Sequence, residues 1–189
     1  MIQCATLVDG VSFSSTNRAR VAITLHNLCI EHHTGIHTLT DNGVIGSALA
    51  LFRPQFEAYI RGAWFHHCAE EQVIDEFIQD AEPLRLGVRE MIRQLEKKEA
   101  FNNGVLSRLM QQHLQNWNDF THGGAIQVKA RNSQGEVIPS YKPDHVASVL
   151  TSSATLSLLA GVDIASVAER EDLAVKLREE FRSVYKSFD

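Results

Sequence analysis

Cysteine is scarce in this chain: Cys4, Cys29 and Cys68 are the three present, far apart and never in C-x-x-C spacing. Such a set signals neither a disulfide framework nor a zinc site, and a reducing cytoplasm is the expected compartment. An excess of positive charge is also missing, since 18 Lys and Arg stand against 23 Asp and Glu for a formal net charge of -5. No overall basic field exists to hold nucleic acid nonspecifically, so any contact with RNA or DNA must be local. The opening MIQCATLVDGVSF has neither the basic start nor the long apolar core of a signal peptide. A clean membrane span is lacking too. Residues 47–68 approach the length, but three charges together with Gln55, His66 and His67 make insertion expensive, and no membrane partner is expected. No internal repeat and no low-complexity tract interrupts the 189 residues. That length fits one domain spanning 1–189, able to bury about two thirds of its unfolded surface.

What is present reads as helix with one strand-like interruption. Ser14, Ser15 and Thr16 offer N-caps, after which Val21, Leu25, Leu28 and Cys29 recur at helical spacing as far as His32-His33-Thr34-Gly35. Thr40-Asp41-Asn42-Gly43 is turn chemistry. An acidic amphipathic segment covers 70–82 and stops at Pro83, a further helix is expected over 84–98, and Asn102-Asn103-Gly104 breaks the chain again. Val105, Leu106, Leu109, Met110, Leu114 and Trp117 then form an apolar stripe that reaches Thr121-His122-Gly123-Gly124, where glycine supplies a C-terminal cap. Beyond it, Ile126, Val128 and Ala130 alternate with Gln127, Lys129 and Arg131, and a second extended run follows at 136–141. The period of two predicts a short β-hairpin. A small-residue-rich helix over 148–160 is read as an internal partner for another helix or a homodimer surface, and a charged amphipathic helix closes the chain over 172–188. The fold expected is an all-α bundle with a hairpin insertion after the fifth helix.

Two segments carry candidate chemistry. In residues 47–68, a helix-length run of Leu, Phe, Ala, Ile and Trp also holds Arg53, Glu57 and Arg61. At about 100° per residue these three fall within roughly 80° of one another, a charged stripe on an otherwise apolar helix. Charge on a buried helix must be paired or face a polar cavity. The stripe is therefore either an architectural i, i+4 ion-pair network or one wall of a site. Pro54 within it predicts a kink there, or a helix that begins at Pro54.

The second segment is Asn116-Trp117-Asn118-Asp119-Phe120-Thr121-His122-Gly123-Gly124. Asn118 and His122 are i and i+4 and share a helix face. A histidine exchanges protons near neutrality, and an adjacent amide can orient it, which suits general acid or base work. The plain alternative is a helix-end side chain with two terminating glycines. His33 and His37 also have i, i+4 spacing, but no carboxylate pattern accompanies them, so neither a metal nor a cofactor is expected.

The N-terminal helical pair, Phe52-Arg53-Pro54-x-Phe56-Glu57 and Asn118 to Gly124 together resemble a group of uncharacterised bacterial all-helical proteins distantly similar to the HEPN superfamily, over residues 16–125. The resemblance implies a dimer that binds or cleaves RNA in a toxin-antitoxin or phage-defence setting, with an antitoxin or another protein as partner. It also implies metal-independent cleavage through an R-x(4-6)-H motif, often R-N-x-x-x-H. This chain keeps Asn118 and His122 of that longer form, whereas Trp117 stands at the arginine. Literal matches at Arg20/His26, Arg61/His66, Arg61/His67 and Arg108/His113 are spacings that a chain with this many Arg and His contains by chance. Arg53 or Arg61 is then needed to supply the cation, with Glu57 orienting it, and Lys129 and Arg131 on one hairpin face are candidates to bind phosphate. The competing class is a structural or regulatory interaction module, or a bundle whose pocket takes a small anion through Arg53 and Arg61.

Overall fold

The computed structural model describes residues 4–80, 84–133 and 135–185. The architecture is all-α, built around one central helix. A short α1 (Cys4–Val8) precedes α2 (Asn17–Asp41), whose N-cap is Thr16; the Thr16 hydroxyl accepts from the Ala19 N–H at 3.3 Å. α2 runs past the expected stop at Gly35. Leu51 lies 3.2 Å from where a Cβ on Gly35 would sit, so this glycine marks close helix approach rather than an end. Asn42 and Gly43, the latter at φ +73°, then reverse the chain into α3 (Ile45–His67).

α3 is buried along most of its length and touches α2, α5, α6 and α8. Its apolar surface explains that position, because Phe52, Phe56, Tyr59, Ile60, Ala63, Trp64 and Phe65 point in several directions and all need cover. Trp64 is core, and its indole N–H donates to Gln94 Oε1 at 2.8 Å. Pro54 lies inside α3 and does not start it. α4 (Glu71–Ile78) and α5 (Val88–Leu95) are shorter than the amphipathic pattern suggested, and a 3-10 turn (Glu99–Phe101) follows. The Pro83 boundary lies outside the described residues. α6 (Val105–His122) is flanked by Gly104 at its N-cap and Gly123 at its C-cap, both at positive φ.

The expected hairpin is not formed. Residues 125–129 make a helical turn, α7 (Ala125–Lys129), and an isolated antiparallel bridge, Ser133 to Glu136, is the extent of β pairing among the described residues. The physical reason is local capping. The Asp119 carboxylate accepts the Ile126 N–H at 3.1 Å and the Gly124 carbonyl accepts the Val128 N–H at 3.1 Å, so the backbone groups a strand would offer sideways are used along the chain. Six residues of alternation are too few to override that.

α8 (Pro143–Val167) packs against both α2 and α3, and α9 (Glu171–Tyr185) packs on α8 and α1. Small residues permit these approaches: Ser153, Ala154, Ser157, Ala160 and Gly161 are buried, and Leu177 lies 3.2 Å from a Cβ built on Gly161. A polar seam runs between α2, α3 and α8. His33 Nδ1 lies 2.9 Å from Ser153 Oγ, and Gln55 donates to the Ser153 carbonyl at 2.9 Å. His37 instead turns to Asp41 at 3.2 Å, so the two imidazoles serve different partners. His26 is fully buried, with its Nε2 3.6 Å from Asp163 and neither ring nitrogen hydrogen-bonded. Burial pushes its pKa down to about 3, assisted by His66 and His67, and burial pushes Asp163 up to about 7 against a lowering hydrogen bond from Tyr59.

Candidate functional site

The charged stripe of α3 and the histidine motif of α6 meet. Arg53 Nη1 donates to Asn118 Oδ1 and lies 3.1 Å from His122 Nε2, while its Nε donates to Glu57 Oε1 at 2.8 Å. A guanidinium only donates, so His122 Nε2 takes the acceptor role in this contact. One cation from α3 thus links an amide and an imidazole a turn apart on α6. The group faces solvent: the Arg53 and Glu57 side chains are 28% and 30% exposed, and His122 is exposed.

Several residues of the second motif hold this geometry. Trp117 is buried between Phe52 and Phe56, with ring centroids 5.2 and 4.9 Å away, and so occupies the core seam between α3 and α6. Asn118 and His122 lie on the face that Arg53 reaches. Asp119 ties α6 to α7 through Ile126, and a Cβ on Gly124 would come within 2.6 Å of that carboxylate. Gly123, at φ +68°, provides the left-handed residue that ends α6 directly after His122.

Pro54 has a partner the sequence did not disclose. Proline lacks an N–H, which deprives the Ala50 carbonyl one turn earlier of its helical donor. The Thr121 hydroxyl, from α6, lies 3.2 Å from that carbonyl and 2.8 Å from the carbonyl of Trp117. The proline of one motif thus opens an acceptor that the threonine of the other approaches, next to Arg53 and His122 respectively. The signal was available in principle, because a helix-interior proline always leaves a carbonyl at i-4 that needs a donor.

Other expected site residues lie apart. Glu57 pairs with Arg53 rather than with Arg61, which is two turns further along α3, about 12 Å by helix rise, and takes no part in the contacts to Asn118 and His122. Lys129 ends α7 and is exposed. Arg131 follows α7 and reaches back to the start of α3, where its guanidinium and the Tyr141 hydroxyl crowd the space beside Gly46. Gln127 donates to the Gly46 carbonyl at 3.2 Å and accepts from Tyr141 at 3.0 Å, so Arg131 belongs to the docking of the post-α6 segment. Without a hairpin, Lys129 and Arg131 share no strand face.

Fold and site together define an all-helical bundle with a solvent-open Arg–Asn–His cluster between two helices. The chain belongs to a family of unknown function, DUF6988, whose model matches residues 26–187 and so includes every residue of that cluster. No curated protein and no solved structure matches it.

Proposed function

We propose that the Arg53–Asn118–His122 cluster binds RNA and cleaves it without a metal ion. The observation that carries this reading is the contact of Arg53 with both Asn118 and His122, which gives the imidazole a phosphate-neutralising neighbour despite tryptophan at position 117. Internal cleavage of RNA needs a base for the 2′-hydroxyl, charge stabilisation at the phosphate and an acid for the leaving 5′-oxygen.

In this reading, the incoming phosphate takes the guanidinium of Arg53, and His122 Nε2, released from Arg53, accepts the 2′-hydroxyl proton. The 2′-oxygen bonds to phosphorus, the bond to the 5′-oxygen breaks, and the same imidazole returns the proton to that oxygen. The products are a 2′,3′-cyclic phosphate and a 5′-hydroxyl. Asn118 and Glu57 fix the guanidinium from two sides, so their role is positioning.

End-group analysis tests this directly. An oligoribonucleotide incubated in EDTA should yield cyclic-phosphate and 5′-hydroxyl ends, and a 2′-deoxy substitution at the cut position should block cleavage there. A 5′-phosphate product, or cutting of the deoxy substrate, contradicts the proposed chemistry.

A further inference from the structure

On the other side of α6 from His122, α6 and α8 both rest on α3 but diverge from one another, leaving a cleft of about 250 Å³. Its floor is Phe52, Phe56 and Trp117, and its lips are Val105 and Leu159, which are 40% and 39% exposed. From Val105 to Trp117 the cleft follows thirteen residues of α6, about 18 Å of helix. Leaving such a surface open is unusual for a helix as apolar as α8, whose most apolar stretch is only 33% buried.

Polar side chains line the cleft along α8, at His145, Ser148, Ser152 and Thr155, and along α6 at His113 and Asn116, and two of the six are imidazoles. His113 stacks on Trp117 at 5.9 Å and His145 lies 5.3 Å from Phe120, which places both imidazoles in the half of the cleft nearer the C-terminus of α6. They are close enough that His113 contributes to lowering the pKa of His145, after burial. Both rings pack against aromatic neighbours, and among the described residues no acidic side chain lines the cleft. The Thr155 hydroxyl, halfway along, is turned back to its own helix, donating to the Thr151 carbonyl at 3.0 Å. A mainly apolar trough therefore carries two nitrogen-bearing rings in one half, and no carboxylate lines it among the described residues.

We infer that this cleft binds an amphipathic carboxylic acid, with its alkyl chain along Phe52, Phe56 and Trp117 and its carboxylate against His113 and His145. A carboxylate between the rings accepts a charge-assisted hydrogen bond from each. A neutral head group gains only the weaker, uncharged bonds. This site is independent of the RNA reading, since none of Arg53, Asn118 and His122 lines it.

Decanoate and decanol, titrated into the full chain below their aggregation limits, provide the test by calorimetry and by NMR of the histidine ring resonances. Saturable decanoate binding is expected, about tenfold tighter than decanol binding, with the His113 and His145 signals moving toward the imidazolium position. The His113→Asn/His145→Asn double variant should remove the preference for the acid, and Ser152→Phe, which obstructs the trough, should remove binding of both. Absence of saturable binding overturns the inference. So does equal affinity for acid and alcohol in the native chain. Sedimentation showing a dimer that the His113→Asn/His145→Asn variant dissociates, with decanoate unbound, would assign the cleft to a second copy instead.

Discussion

Arg53 and His122, 69 residues apart in the chain, lie with Nη1 and Nε2 3.1 Å from each other. The contact joins a charge on the central helix to the last residue of α6, and Asn118 and Glu57 hold the same guanidinium. Three side chains from two helices thereby converge on one cation, and the proposed cleavage depends on that convergence.

Substitution of Arg53 separates it from Arg61. Arg53→Ala should lower metal-free RNA cleavage by about a hundredfold or more, the usual cost of losing a charge-stabilising donor. Arg53→Lys should recover little, because an ammonium cannot span Glu57, Asn118 and His122 with a fixed fork. Arg61→Ala should retain activity within a few-fold. Cleavage rates under single-turnover conditions check this, and equal losses for Arg53 and Arg61 would speak against the assigned geometry.

Restoring the literal R-N-x-x-x-H spelling should fail. Trp117→Arg places a charge between Phe52 and Phe56 and removes a buried indole, so destabilisation of about 3–5 kcal/mol is expected, with no gain in cleavage. Chemical denaturation measures the loss. A stable, more active variant would show that position 117 can face the site.

The relation between Pro54 and Thr121 predicts a coupling. Thr121→Val should cost about 1 kcal/mol, because the Ala50 carbonyl loses the donor that approaches it. In a Pro54→Ala background the helix supplies its own N–H to Ala50, and the same change should cost less. Additive effects in the double-mutant cycle would remove the link.

The largely buried Asp163 carboxyl predicts a pH dependence. Asp163 has a folded-state pKa of about 7 against an ordinary 3.8, so the folded state holds its proton more strongly and stability contributed by this group is lost as pH rises from about 4 through 7. His26, lowered to about 3, acts oppositely: stability rises as pH climbs from about 3 through 6.5. Asp163→Asn removes the first trend. The variant should gain in melting temperature relative to the native chain at pH 8 and gain less at pH 5. A difference independent of pH would contradict the raised pKa of this carboxyl.

The sequence disclosed the helices whose periodicity is long, and it disclosed the end of α6 closely, because Gly123 and Gly124 follow His122. The hairpin was misread for a specific reason. Residues 126–131 alternate in polarity, yet the fate of their backbone was decided by Asp119, seven residues upstream of Ile126, and by the docking of Gln127 on Gly46. Gly35 misled in the other direction, since a glycine chosen for close packing reads in sequence like a helix stop. The cluster was legible in its residue types: Arg53, Glu57, Asn118 and His122 stood out as charge on an apolar helix and as an amide–imidazole pair. Which arginine served was not legible. Arg53 and Arg61 are close in helical phase, and only the axial position of α6 along α3 separates them. Position 117 was legible as a departure from R-N-x-x-x-H, but its burial between Phe52 and Phe56 was not.

Cleavage by this cluster stands or falls with His122, whose exposed position makes it replaceable without disturbing the core. In EDTA, the native chain should degrade RNA, and His122→Ala should abolish degradation while its melting temperature stays close to the native value. Unaltered cleavage by His122→Ala, or a native chain that leaves RNA intact, would contradict metal-free cleavage at the Arg53–Asn118–His122 cluster.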